Sequence, residues 1–223
     1  MLPDLPQTEV AIVELTNAFR KTKDLQELKP NPVLGAAARA FADYLARTGG
    51  KLSHEADGRQ PQDRALAAGY KYCLVAENLA SNLDSRGFST RQLAQEVVEG
   101  WKGSPLHREA MLLPLATEIG VAVVQAPAKH PKFISVQLFG RPESAQVRYT
   151  IQNLSRTPVR YTLGTDTETL KRDELVTHTD CEPRALKFEG VGISTSYMPK
   201  TGDWFTLKPG KQRAIEVELK SEP

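Results

Sequence analysis

The hydrophobic period of this chain changes once, and that change limits the folds open to it. Up to the segment that begins at Ser104-Pro105, apolar residues recur at helical spacing; beyond it they alternate. Ile12, Leu15 and Phe19 stand at i, i+3 and i+7 within Thr8 to Arg20, so this stretch is predicted as a helix. Asn31-Pro32 opens a second, with asparagine as cap and proline at the first position, where no amide is needed. Leu34, Ala38, Phe41 and Leu45 line one of its faces, and Gly49-Gly50 supplies a left-handed stop. Gln60-Pro61 to Gly69 reads as a short helix. Ser89 with Gln92 forms a capping box for another, which carries Leu93, Val97 and Trp101 on one side. Ser104 is expected to cap the last helix through its side-chain oxygen, which puts His107 at the third helical position.

Strands follow. Glu118 to Val124 and Phe133 to Phe139 flank a Pro-bearing loop and make a hairpin. Helices with a few antiparallel strands give an α+β domain over residues 1–140. Arg141-Pro142-Glu143-Ser144 reads as a linker, and residues 145–223 show no helical period. Val147, Tyr149 and Ile151 alternate, as do Val159, Tyr161 and Leu163, and a closing hairpin turns at Pro209-Gly210. This second region is predicted as a small β-sandwich-like domain of no recognised family, with Trp204 in its core or at its border with the first domain.

Among 223 residues the charged fraction is 25% and the net charge +2 with both signs interspersed, so no stripe suits nucleic acid. No apolar run reaches the roughly 18–20 residues of a membrane span. The first seven residues carry neither a basic segment nor an apolar core, so no export signal is read there. Cys73 and Cys181 allow either one bridge or two separate thiols.

Three chemistry-bearing residues stand out. His107, in a first helical turn just after the indole of Trp101, points to a surface cleft, which His54 and Glu77 are expected to face. Glu77 lies inside the apolar run Leu74-Val75-Ala76-Glu77-Asn78-Leu79, where a carboxylate needs a partner or a raised pKa. Asn78, Trp101 and Ser104 complete the cleft candidates. Ser104 is not read as a nucleophile, because its cap role accounts for the hydroxyl and no Gly-x-Ser-x-Gly elbow is present. His130 and His178 are read as exposed histidines without a role.

Several motifs, in order and at the right spacing, resemble the CAP superfamily of cysteine-rich secretory, antigen 5 and pathogenesis-related proteins. They are Asn17 and Arg20, Leu34 to Ala42, His54, Glu77-Asn78-Leu79-Ala80, Trp101 with Ser104-Pro105-Leu106-His107-Arg108, and Glu118-Ile119-Gly120-Val121. The likeness is to the bacterial branch, over about residues 8–140. It implies an α-β-α sandwich whose open cleft holds two histidines and two glutamates, in some members around a divalent metal. By motif His54, Glu77 and His107 match three of these; the position of the second glutamate is Ser104, with Glu99 or Glu109 as substitutes. The resemblance thus implies His54, His107 and Glu77 as a ligand set for zinc or magnesium, with an open position for water. It also implies an exported protein, extracellular or periplasmic with its signal removed, that binds a lipid, glycan or protein. The alternative is a metal-assisted hydrolase using the same three residues.

Overall fold

The computed structural model describes residues 2–49, 51–190, 196–211 and 214–221. The chain divides into two compact units, Met1–Ser144 and Ala145–Pro223. In the first, α1 (Leu5–Lys21) starts three residues before the predicted Thr8. Asp4 caps it by accepting from the Gln7 amide, and Pro6 sits in the first turn. Helix α2 (Pro32–Thr48) has Asn31 as cap, accepting from Val33 and Leu34, and ends at Gly49 with φ +62°; Gly50 lies outside the described residues. The short α3 (Pro61–Ala67) precedes strand β2 (Tyr72–Leu83), which contains the apolar run around Glu77. Helix α4 (Thr90–Gly103) leads directly into α5 (Pro105–Met111). Ser89 caps α4 through the Gln92 amide, but the Gln92 side chain turns away to Glu96, so only half of the capping box forms.

Strands β3 (Glu118–Ala126) and β4 (Lys132–Pro142) make the expected hairpin. With β2 and the two-residue β1 (Lys29–Pro30) they form one sheet in the order β1-β3-β4-β2. Helix α2 packs Leu34, Ala38, Phe41 and Leu45 on one face, against Ala122, Val124, Val136 and Leu138. On the other face, Ile12 of α1 and Leu93, Val97 and Trp101 of α4 meet Ile119, Val123, Phe133 and Phe139. Strand β4 is covered on both sides, which is why its sequence is nearly continuous in buried residues. Helix α2 comes so close to β3 that a Cβ on Gly120 would stand 2.3 Å from the Gly35 nitrogen. The layering is α-β-α.

The segment read as a linker lies at the boundary of the two units and has regular structure. Strand β4 runs through Pro142, and Glu143–Ala145 forms a 3₁₀ turn whose Glu143 amide bonds the Lys71 carbonyl at 3.0 Å.

The second unit is two four-stranded sheets. One orders as β12-β11-β5-β8: Ile215–Ser221, Asp203–Pro209, Val147–Asn153 and Leu175–Asp180. The other orders as β10-β9-β6-β7: Ser196–Tyr197, Leu186–Phe188, Val159–Leu163 and Asp166–Leu170. Tyr149, Ile151, Phe205 and Leu207 from one sheet enclose a core with Val159, Tyr161, Leu163 and Leu186 from the other. Trp204 is not in that core. It alternates with Phe205 along β11 and so faces outward, 39% exposed. His178 is half-buried rather than exposed; its Nε2 lies 3.0 Å from the Tyr161 hydroxyl, which donates to Glu168 at 2.7 Å.

Candidate functional site

Glu77 projects from β2 to the α2 side of the sheet, where its side chain is 1% exposed. The partner that such a carboxylate requires is Arg64 of α3. Its Nη2 donates to both carboxylate oxygens at 2.9 Å, while Nη1 donates to Asp57 Oδ1 and to the Arg59 carbonyl, each at 2.8 Å. The guanidinium lies 3.5 Å from the centre of the Phe41 ring. Four of its five N–H groups are thus engaged; Nε has no partner. Asp57 is balanced a second time by Arg59 at 3.0 Å. Two buried carboxylates and two guanidinium groups therefore leave no uncompensated charge beneath the cleft.

His54 lies on top of this network. Its Nδ1 is 2.9 Å from Glu77 Oε1, and its side chain remains 47% exposed. Facing a carboxylate that can only accept, Nδ1 is the donor of this bond. The loop that carries it is held by the Tyr44 hydroxyl, which donates to the Ala56 carbonyl at 2.9 Å.

His107 belongs to α5, which is tied to β2 from the other side of the sheet. Glu77 and Asn78 are neighbours on a strand, so their side chains leave opposite faces. Asn78 is fully buried, and its Nδ2 donates to the His107 carbonyl at 3.0 Å and to Gln137 at 3.3 Å. At its far end α5 is anchored by the buried Arg20, whose Nη1 donates to the Met111 and Leu113 carbonyls at 2.7 and 3.0 Å. The His107 ring is half-buried. Burial, and then the charge of His54, holds its pKa below the ordinary value. The two histidines thus belong to segments on opposite sides of β2, an edge strand of its sheet.

Two of the remaining candidates do different work. Trp101 does not line the cleft: it is 1% exposed, and its Nε1 donates to the Leu79 carbonyl at 3.0 Å, which ties α4 to β2. Ser104 has the extended backbone of a cap, but its hydroxyl makes no cap hydrogen bond. It ends α4 and begins α5 at once, its amide committed to Trp101 and its carbonyl to Arg108, so the junction is fixed by backbone alone. Neither substitute for the missing glutamate turns inward. Glu99 is exposed and paired with Lys102 at 2.6 Å, and Glu109 is exposed.

The donor set does not suit a divalent cation. Among the described residues no three His, Cys, Asp or Glu side chains stand together in a way that could hold one. The reason is Arg64: with both oxygens of Glu77 accepting from its guanidinium, a cation would have to displace a buried arginine. Glu77 does not fit the role of ligand, and no step through a metal is derived. A groove of about 990 Å³ lies elsewhere, between α1 and α2, lined by Val10, Val13, Leu28, Pro30 and Val121 among others.

Sequence reasoning missed Arg64 and Asp57. The signal was present. A carboxylate inside an apolar run demands a cation, and Arg64 stands beside Ala65 in the inward position of a helix that ends only a few residues before β2.

A profile of the CAP, or cysteine-rich secretory protein, family matches residues 13–139, more than half of the chain. The chain belongs to the CAP family. Its CAP domain is 30% identical over 119 residues to the uncharacterized protein YkwD of Bacillus subtilis. That match covers 53% of this chain and 43% of YkwD, so the chain spans less than half the length of that relative. Among solved structures an outer surface protein of Borrelia burgdorferi is similar, with a TM-score of 0.50 and 24% identity, over 59% of this chain and 90% of that one. An extracellular SCP-domain protein of Bacillus anthracis aligns with a TM-score of 0.49 and 21% identity, over 61% and 41%. The CAP fold accounts for the α-β-α layering of the first unit, and no helix among the described residues is long and apolar enough to cross a membrane.

Proposed function

We propose that this is an exported CAP-domain protein that acts by binding, its ligand a lipid, glycan or protein taken into the cleft between His54 and His107. The observation that carries the reading is the chain Asp57–Arg64–Glu77–His54: three buried, mutually satisfied groups ending on a half-exposed imidazole. Such an arrangement orders a recognition group before the ligand arrives, which lowers the entropic cost of binding. It also leaves the hydrolase alternative short of a base, because Glu77 is occupied as the acceptor for Arg64 and His54. Export is supported by the cysteines, both disulfide-bonded, a state that persists in oxidising compartments. The Borrelia relative is described as an outer surface protein, which points the same way.

The test is imidazole NMR on the full chain, titrated in turn with lysophospholipid, N-acetylglucosamine oligomers and a peptide mixture. A ligand that moves the His54 and His107 signals together, and loses affinity in His54→Ala and His107→Ala, supports the reading. Turnover of an ester or peptide that collapses in Glu77→Gln would replace it with the hydrolase.

A further inference from the structure

We infer that the second unit carries a separate glycan-binding face, the outer surface of the β12-β11-β5-β8 sheet, with Trp204 as its stacking platform. The outward side chains follow from strand register. Trp204 pairs with Lys220 on one side and Thr150 on the other, and Thr150 pairs with Thr177. The next row is Glu218, Thr206, Gln152 and Leu175, of which Thr206 is itself buried. Four strands at about 4.8 Å spacing make a platform roughly 14 Å across.

An outer sheet face rich in Thr, Gln, Glu and Lys needs no tryptophan for stability, since a side chain 39% exposed buries only part of its ring. Here the indole borders a depression of about 310 Å³ together with Leu154, itself 42% exposed, and Gln152, Thr206, Lys208 and Glu218. The combination matches one ligand chemistry. The axial C–H bonds of a sugar ring carry partial positive charge and pack on the electron-rich face of an indole. Its hydroxyls need donors and acceptors side by side. Gln152 offers both in one amide, and the Lys208–Glu218 ion pair offers one of each.

Other occupants fit less well. The apolar area is too small and too closely ringed by paired charges for a bilayer. Lys208 and Lys220 both pair with Glu218, and Glu216 stands beside them, so the described residues of this face present no run of unpaired cations for a polyanion. A neutral oligosaccharide is the class the face fits. This site lies wholly within the second unit and does not rest on the cleft of the CAP domain.

The sequence has two tryptophans, and Trp101 is buried, so a ligand-induced change in intrinsic fluorescence reports on Trp204. The full chain is titrated with N-acetylglucosamine oligomers and with cello-oligosaccharides. The expected result is a saturable shift of emission with at least one series, absent in Trp204→Ala. Gln152→Ala, which removes only an amide at the surface, should weaken the same binding about tenfold as measured by calorimetry. Because Gln152 lies in the second unit, Gln152→Ala should leave the His54 and His107 imidazole signals where they are. The inference is overturned if neither series shifts the emission at millimolar concentration, if Trp204→Ala responds like the wild type, or if phosphatidylglycerol vesicles shift it where sugars do not.

Discussion

The side-chain amide of Asn78 holds the backbone carbonyl of His107 at 3.0 Å, and so fastens the helix of one cleft histidine to the strand that orients the other. Asn78→Ala breaks this bond and the one to Gln137 inside a fully buried site. The expected loss is about 1–3 kcal/mol in urea unfolding. The His107 ring signals should move while those of His54, held by Glu77, stay in place.

Arg64 and Glu77 should show strong coupling. Arg64→Ala leaves the nearly inaccessible Glu77 carboxylate without its cation, while Asp57 keeps Arg59, and about 3–5 kcal/mol of destabilisation is expected. Adding Glu77→Gln removes one stranded charge, so the double variant should be more stable than Arg64→Ala alone. Denaturant midpoints of the two single variants and the double one decide it; simple additivity would mean that Arg64 acts through packing on Phe41.

Acidification should weaken the fold through two histidines. Burial depresses the pKa of both His107 and His178, with the charge of His54 adding to the first. As pH falls below the ordinary value of 6.5, the unfolded chain takes up protons that the folded chain refuses. The contribution is therefore whole above that value and declines below it, until the folded pKa is reached. Unfolding free energy measured between about pH 7 and pH 5 should fall, and less steeply in His107→Gln. In His54→Ala the His107 pKa should rise only part of the way, because burial is the larger cause.

Two glycines that face each other should respond in opposite ways. Gly120→Ala drives a Cβ into the backbone of Gly35 and Leu34 at 2.3 Å, so about 3 kcal/mol or more should be lost. Gly35→Ala meets nothing within 4 Å and replaces a helical glycine. A gain of about 0.5–1 kcal/mol is expected from thermal or urea melts.

Caps and periods made most of the first unit legible. Asn31-Pro32, Ser89 and the alternation in β3 and β4 are local signals that tertiary contacts did not override. The start of α1 was less so, because Asp4 caps it before any apolar residue has marked a face. In the second unit β7 and β8 escaped notice: Asp166–Leu170 and Leu175–Asp180 are edge strands, and so few of their residues are buried that no period stands out. Glu77 announced a need for a partner, and the inward place of Arg64 on a nearby helix was a usable signal, but charge balance alone does not single it out, since a metal or a proton satisfies it as well. Trp204 was misplaced for a related reason. Composition favours burying an indole, and the alternation that turns it outward depends on which neighbour, Phe205, takes the core.

The pairing of β5 with β11 joins residues 147–153 to residues 203–209, side by side and in the same direction. Such a bond between distant stretches forms late, after a long loop has been closed. While the chain is being made, Tyr149 and Ile151 must wait for Phe205 and Leu207, with their apolar sides uncovered. The second unit therefore has a vulnerable interval during synthesis, before its core can close.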